Sequence, residues 1–576
     1  MLWGVGNHGG GPSRKDIEDL DQLARESREL DVRHATPEDL FARLGAVAES
    51  LEVWDNDINR WAIGCYSSQI RIKQEHRLLE NELWTTEIMA SSARLNGLID
   101  YPHAELADAE RDLLVSQFHD ILPGSAVEAV EASALRQLGH GRECLSRVRA
   151  RCFFALLAGQ PETAPGSYPI LVFNPHPHAI DATIDCELQL ADQNWTQAFT
   201  AFEITAEDGG EIACQVEKES SNMPLDWRKR LVFQARLAPL RMNRFEARPV
   251  LFAAKPAIHR QPAAQVRVAA EELESAVSIS SGRLVSLRLA NTELLAAPGL
   301  TLQVVGDDED SWAGTVKSFG AVVGEFQAMS PSRAARFAGI SGRDTLAPVR
   351  IIEDGPVRTV VESLLEFGDS AACLRYFLPK SGTCIGLDIR LYWFERDRAL
   401  KLALAPAFEP AVFSGQTAYG THNLPLDGSE VAFQQWCSID SAHGESLLLF
   451  NNGLYAGDCR DGLLRPTLLR SPAYSAHHIG DRRILPDDRF SPRIDQGERR
   501  FQLWIQGGCV ARPLPSPEFL ARQLNQPPIA LNCFPPGGGE IPSCPLVVDG
   551  RDTQLSAWRC LPDANDHLLR LFNPSA

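Results

Sequence analysis

Between Ser68 and about Leu95, Ile72, Leu79, Leu83 and Ile88 recur at helical spacing with charged residues between them. A second helical stretch runs from Glu105 through Leu106, Ala109, Leu113 and Leu114. It continues at Phe118, Ile121 and Leu122 until Pro123-Gly124 stops it. Ser125 with Glu128 three positions on has the form of a capping box, so a third helix starts at once and extends to about Leu157. Three amphipathic stripes need partners, and an antiparallel three-helix bundle is the economical packing. On this reading His119 and Asp120 occupy the last turn of one helix. Neighbouring residues on a helix diverge by about 100°, so a ligand reached by both lies across the helix end.

Upstream, Ser13 with Asp16 reads as a helix start. Thr36-Pro37-Glu38-Asp39 combines an N-cap with proline at the first helical position, followed by Leu40, Phe41, Leu44 and Val47 on one face. Downstream, residues 159–168 are rich in glycine, proline and serine and read as a linker, after which the pattern turns to strands. Ile170 to Phe173 is a short buried run ended by Asn174-Pro175, while Leu231-Val232-Phe233 and Thr359-Val360-Val361 cluster β-formers. Turn pairs such as Asp208-Gly209, Asn452-Gly453 and Asp461-Gly462 punctuate the rest, and large antiparallel sandwiches follow naturally. The fold class expected is multidomain α + β, a helical middle domain over residues 51–158 followed by antiparallel β-sandwich domains over 169–576.

At 576 residues the chain is long enough for three or four domains. A net charge of −19 and no Lys/Arg cluster exclude a nucleic-acid partner, since phosphate backbones are bound through clustered cations. No stretch has the apolar length of a membrane span, and Met1-Leu2-Trp3-Gly4 lacks the regions of a signal peptide. Thirteen scattered cysteines without a C-x-x-C pair fit reduced thiols, so a cytoplasmic location is expected. Gly4-x-Gly6-x-x-Gly9 matches a dinucleotide fingerprint in letters alone: only three residues precede it where a buried strand is required. The glycines read better as a loop that lets backbone approach a ligand.

A lone His-Asp pair at a helix end is ordinarily a dipole interaction or a surface pair, and one histidine cannot define a metal site. The run Gln117-Phe118-His119-Asp120-Ile121-Leu122-Pro123-Gly124-Ser125, however, resembles the signature of the glycoside hydrolase family 38 α-mannosidases. So does the block Gly4-Val5-Gly6-Asn7-His8-Gly9-Gly10-Gly11-Pro12, especially in its bacterial form. Asp310-Ser311-Trp312, Glu353 to Pro356, Leu468 to Pro472 and Asp495 to Glu498 are similar to the family's C-terminal β region.

The resemblance implies a zinc-dependent, retaining exo-acting hydrolase of terminal α-mannosides in oligosaccharides or glycans. His119 carries over as a zinc ligand and Asp120 as a contact to a sugar hydroxyl. Asn7 and His8 fall in the neighbourhood of the family's acid/base, where histidine can transfer a proton and asparagine cannot at neutral pH. A retaining enzyme needs two carboxyl groups about 5–5.5 Å apart, and a catalytic zinc about three protein ligands. In the family, an N-terminal α/β domain supplies the remaining zinc ligands and the nucleophile. The resemblance therefore implies a chain without that domain and without the extreme C-terminus, residues 1–50 being the former's last part. The zinc site would then be incomplete, and the alternative reading is an inert fragment that keeps a carbohydrate-binding or structural role. Apolar surface left on a bundle without its neighbour would favour a homo-oligomer.

Overall fold

The computed structural model describes residues 11–54, 61–222, 226–258, 264–543, 546–548, 553–562 and 566–574. The chain divides into two units, residues 1–60 and 61–576. Asn7 and His8 lie outside the described residues.

In the first unit, α1 (Arg14–Glu26) and α2 (Pro37–Gly45) both begin as the sequence indicates. Ser13 and Asp16 form a reciprocal capping box, as do Thr36 and Asp39, and Pro37 opens α2. Each box satisfies backbone donors that a helix start otherwise leaves without partners. Neither helix buries a residue, and Leu23, Phe41 and Leu44 stay exposed.

The second unit begins with three helices, α3 (Ile70–Leu95), α4 (His103–Ser116) and α5 (Glu128–Ala155). They pack around Ile72, Leu79, Leu83, Leu106, Leu113, Leu138 and Leu145. Burying each large apolar side chain of this set contributes about 1.5–3 kcal/mol. α3 is buried along most of its length. Its other flank is covered too: Trp84 and Ile88 pack with Leu240, Leu555 and Trp558, and Met89 and Ala93 with Phe153, Leu171 and Phe173. Its polar groups are correspondingly bonded inside, Trp84 Nε1 donating to Leu555 O at 3.0 Å and Ser91 Oγ to Trp558 O at 2.9 Å.

All strand pairs that follow are antiparallel. Tyr168–Phe173, Met242–Phe252 and Phe199–Ala206 lie in a five-stranded sheet that shares a core with the three-stranded sheet of Ile180–Gln189, Arg228–Leu237 and Cys214–Glu217. Ten-, six- and four-stranded sheets then surround a larger core running from Val266 to Cys509. The expected strand runs fall inside Tyr168–Phe173, Arg228–Leu237 and Arg358–Phe367, and Asp461-Gly462 makes the tight turn between Ala456–Arg460 and Leu463–Arg470. Glu353 to Pro356 lead into the strand that joins the two cores: Gln215 Oε1 accepts from the backbone N–H of Val357 and Arg358, both at 3.0 Å. The stretch 159–168 has little regular structure but is tied down, with Gly159 N donating to Gly538 O and Arg244 Nη1 to Pro161 O. A short helix α6 (Pro331–Ala338) and α7 (Pro517–Asn525) complete the α-helices among the described residues.

Candidate functional site

His119 and Asp120 are not in a helix. α4 ends at Ser116, and the chain then tightens: Gln117 N bonds Leu114 O, Phe118 N bonds Val115 O, and Ile121 N bonds Phe118 O. The apolar residues at 118, 121 and 122 therefore belong to a compact corner, with Ile121 and Leu122 packed onto the bundle. Ser125 does not cap α5 either. The helix starts at Glu128 after Val127, without a side-chain cap, and Ser125 Oγ turns back to Asp120, 3.3 Å from Oδ1 and 3.5 Å from the backbone oxygen. A nearby carboxylate has outcompeted the helix end for that hydroxyl.

The corner is fixed from beneath. Lys73 Nζ donates to Ser68 O at 2.6 Å and to Leu122 O at 2.8 Å, and Gln69 Nε2 donates to Ala126 O at 2.8 Å. Gly124 has φ +77°, and a Cβ there would collide with the Ser68 carbonyl, so the corner can sit this close only with glycine. Gln69 itself adopts φ +51°, a conformation that costs a residue with a side chain about 1–3 kcal/mol and persists where the surroundings over-determine it. Burial lowers the Lys73 pKa to about 7, with Arg470 acting in the same direction and Cys65 and Asp495 opposing.

Around Ser68 the structure gathers three of the four C-terminal sequence blocks. Ser68 Oγ donates to Ser311 O at 2.7 Å, Arg470 Nη1 donates to Ser68 Oγ at 3.0 Å, and Asp495 Oδ2 accepts from Ile70 N at 2.9 Å. Arg470, fully buried, also forks onto Asp307 at 2.6 and 3.0 Å and reaches Asp310 O at 3.0 Å. Desolvation of Asp307 outweighs that pairing and raises its pKa to about 6. Asp310 is buried and holds its own loop, accepting from Trp312 N at 2.9 Å, Gly314 N at 3.0 Å and His477 Nδ1 at 3.2 Å. The His477 ring lies edge-on between Trp61 and Trp312, with centroids 5.7 and 5.4 Å away. Burial raises the Cys65 thiol; Lys73 and Arg470 oppose this, while Asp310 and Asp120 add to it, so the corner and the 307–314 loop act on one thiol.

Both sequence-predicted residues of this region thus stand together on a braced corner. The side chains are exposed, 63% for His119 and 40% for Asp120, with His119 Nε2 3.6 Å from Asp120 Oδ2. Asp120 keeps part of its side chain open to solvent. Asp310 does not, since its oxygens are committed to its loop. A zinc ion needs about three protein ligands. Among the described residues no three His, Cys, Asp or Glu side chains form a group able to hold a metal, so the described donor set does not fit zinc. The brace of Ser68, Asp307, Asp310 and Arg470 was not predicted as a site. Its one sequence signal is the acidic run Asp307-Asp308-Glu309-Asp310, which requires a buried base once it is packed inside β structure.

The family model described as alpha mannosidase middle domain matches residues 61–156, the stretch that contains α3 to α5 and the corner. Human alpha-mannosidase 2C1 is 31% identical over 183 residues, which is 31% of this chain and 17% of the human protein. Alpha-mannosidase G of Dictyostelium discoideum is 31% identical over 137 residues, 24% of this chain and 12% of its own length. The matches therefore span a small part of these relatives. Among solved structures, a glycosyl hydrolase family 38 protein from Enterococcus faecalis superposes with a TM-score of 0.71 at 14% identity, covering 98% of this chain and 71% of that one. At that identity the likeness is one of fold.

Proposed function

We propose that the corner at residues 117–125, inside the stretch similar to the alpha-mannosidase middle domain, forms one wall of a site for terminal α-mannosides. Asp120 accepts from a sugar hydroxyl there, and His119 stands beside it as a single candidate metal ligand, short of the three that zinc needs. The observation that carries the reading is the position of these two side chains, held outward within the matched middle domain by Lys73, Gly124 and Ser68.

Hydrolysis with retention needs two carboxyl groups about 5–5.5 Å apart. At the corner Asp120 is exposed and Asp310 is buried in loop contacts, so the described residues supply one usable carboxylate of the brace and corner. The proposed role is accordingly recognition of the mannoside, with turnover requiring groups beyond those described. Twelve described cysteines, all free, support placing this activity in a reducing compartment such as the cytoplasm.

The test pairs hydrolysis of an aryl α-mannoside, with and without added zinc, with saturation-transfer NMR of methyl α-mannoside. The expected result is no turnover, with mannoside contact that Asp120→Asn removes. Absence of contact in the folded wild type would sink the reading. Zinc-dependent turnover abolished by His119→Ala would show instead that residues 1–576 hold a full catalytic set.

A further inference from the structure

A cavity of about 300 Å³ lies between the middle of α3, residues 416–419, α7 and the hairpin of Gln554–Cys560 with His567–Phe572. Four arginines line it, and two are neutralised: Arg559 pairs with Glu87 at 2.8 Å and Glu110 at 3.4 Å, and Arg77 with Glu80 at 3.0 Å. The other two are not. Among the described residues neither Arg522 nor Arg570 has a carboxylate within ion-pair distance. Arg522 donates to Leu555 O at 3.1 Å and lies over the Phe572 ring at 5.5 Å, while Arg570 donates to Ser556 Oγ at 2.9 Å and lies over Tyr419 at 5.6 Å. The two rings meet edge to face, 5.2 Å apart, so one aromatic pair carries both guanidiniums.

Glu518 also lines the cavity, but its oxygens already accept from Gln416 Nε2 at 2.6 Å and Trp436 Nε1 at 3.0 Å. Burial lowers the pKa of Arg522; Glu518 and Glu80 oppose that and Arg570 adds to it. Arg77 Nε and Gln526 Oε1, in side chains over nine-tenths buried, find no hydrogen-bond partner among the described residues, and both residues line this cavity.

We propose that this cavity binds a monosaccharide phosphate. The forked, planar donors of Arg522 and Arg570 match a phosphate group. Asn81, Gln434, Gln435 and Gln526, with the Trp84 ring, supply amide partners and an apolar face for a polyol body. The volume, at the small end of ligand sites, suits one phosphorylated sugar ring and excludes a dinucleotide.

The experiment is isothermal titration calorimetry of the full chain at low salt with mannose 6-phosphate, glucose 6-phosphate, mannose and inorganic phosphate. At least one sugar phosphate is expected to bind saturably, about tenfold or more tighter than mannose or phosphate alone, and Arg570→Gln to weaken it by about tenfold. Arg570 is exposed, so its replacement leaves the fold intact; Arg522→Gln, checked by near-UV circular dichroism, should do the same to binding. No saturable binding up to about 10 mM, equal affinity in Arg570→Gln, or phosphate alone binding as well as the sugar phosphates would overturn the assignment.

Discussion

Arg470 Nη1 donates to Ser68 Oγ at 3.0 Å across 402 residues of sequence. Ser68 in turn passes its hydrogen to Ser311 O, and its carbonyl accepts from Lys73, which also holds Leu122. One guanidinium in the β region thus fixes the backbone on which the His119-Asp120 corner rests. Gly64 belongs to the same contact: a Cβ there would collide with the Arg470 guanidinium.

Replacing Arg470 with methionine leaves Asp307 buried and unpaired. Removing one partner of a buried ion pair costs about 3–5 kcal/mol, because the remaining charge has neither water nor a counter-ion. Urea denaturation should show a loss of that size. The double variant Arg470→Met/Asp307→Leu should recover most of it, since an apolar pair of similar volume carries no stranded charge. Equal stability of the single and double variants would contradict the role assigned to Arg470.

Gly124→Ala meets two obstacles, a left-handed φ and the Ser68 carbonyl. We expect a loss of at least about 2 kcal/mol in thermal or chemical denaturation, because the backbone must shift rather than a flexible side-chain tip. The same variant should lose mannoside contact by NMR while remaining folded at low temperature. Gly97→Ala is a useful comparison, having a similar φ of +68° and open space around it. Its cost should be the conformational one alone, about 1 kcal/mol.

What could be read from the sequence follows from how local each determinant is. The caps at Ser13 and Thr36, the three middle helices and the strand at Ile170 depend on residues within a few positions, and all appear. The corner was misread because Phe118, Ile121 and Leu122 keep helical spacing while packing through a turn. Nothing in residues 70–95 announces the packing of α3 against Leu555 and Trp558, more than 450 positions away. The brace was invisible for the same reason. Asp310, Arg470 and Asp495 each sat in a recognisable block, yet only the fold brings the blocks to Ser68.

Ser125→Ala separates the capping box expected from sequence from the contact observed. An N-cap replaced by alanine costs about 1 kcal/mol and frays its helix. Here Ser125 bonds Asp120 instead, so far-UV circular dichroism should show unchanged helix content, with a stability loss below about 1 kcal/mol. Methyl α-mannoside contact should weaken, because Asp120 loses the hydroxyl that orients it. A drop in helix content without any change at the sugar would favour the capping role.

Lys73 sets a pH dependence. Burial lowers its pKa from 10.5 to about 7, so the folded chain disfavours the charged ammonium while the unfolded chain carries it up to about pH 10.5. Between those values the unfolded state binds more protons, and stability rises with pH. The penalty is full below pH 7 and fades as pH climbs above it. From pH 7 to 9 this group alone should add about 2 kcal/mol, each pH unit of the window being worth about 1.4 kcal/mol. Lys73→Met removes the titration and strands the Ser68 and Leu122 carbonyls, so its stability relative to the wild type should fall from pH 7 to pH 9 and that slope should flatten. Denaturation midpoints of both proteins at pH 7, 8 and 9 decide the matter: parallel curves would mean that Lys73 keeps its charge in the fold, held by Asp495 and the two carbonyls.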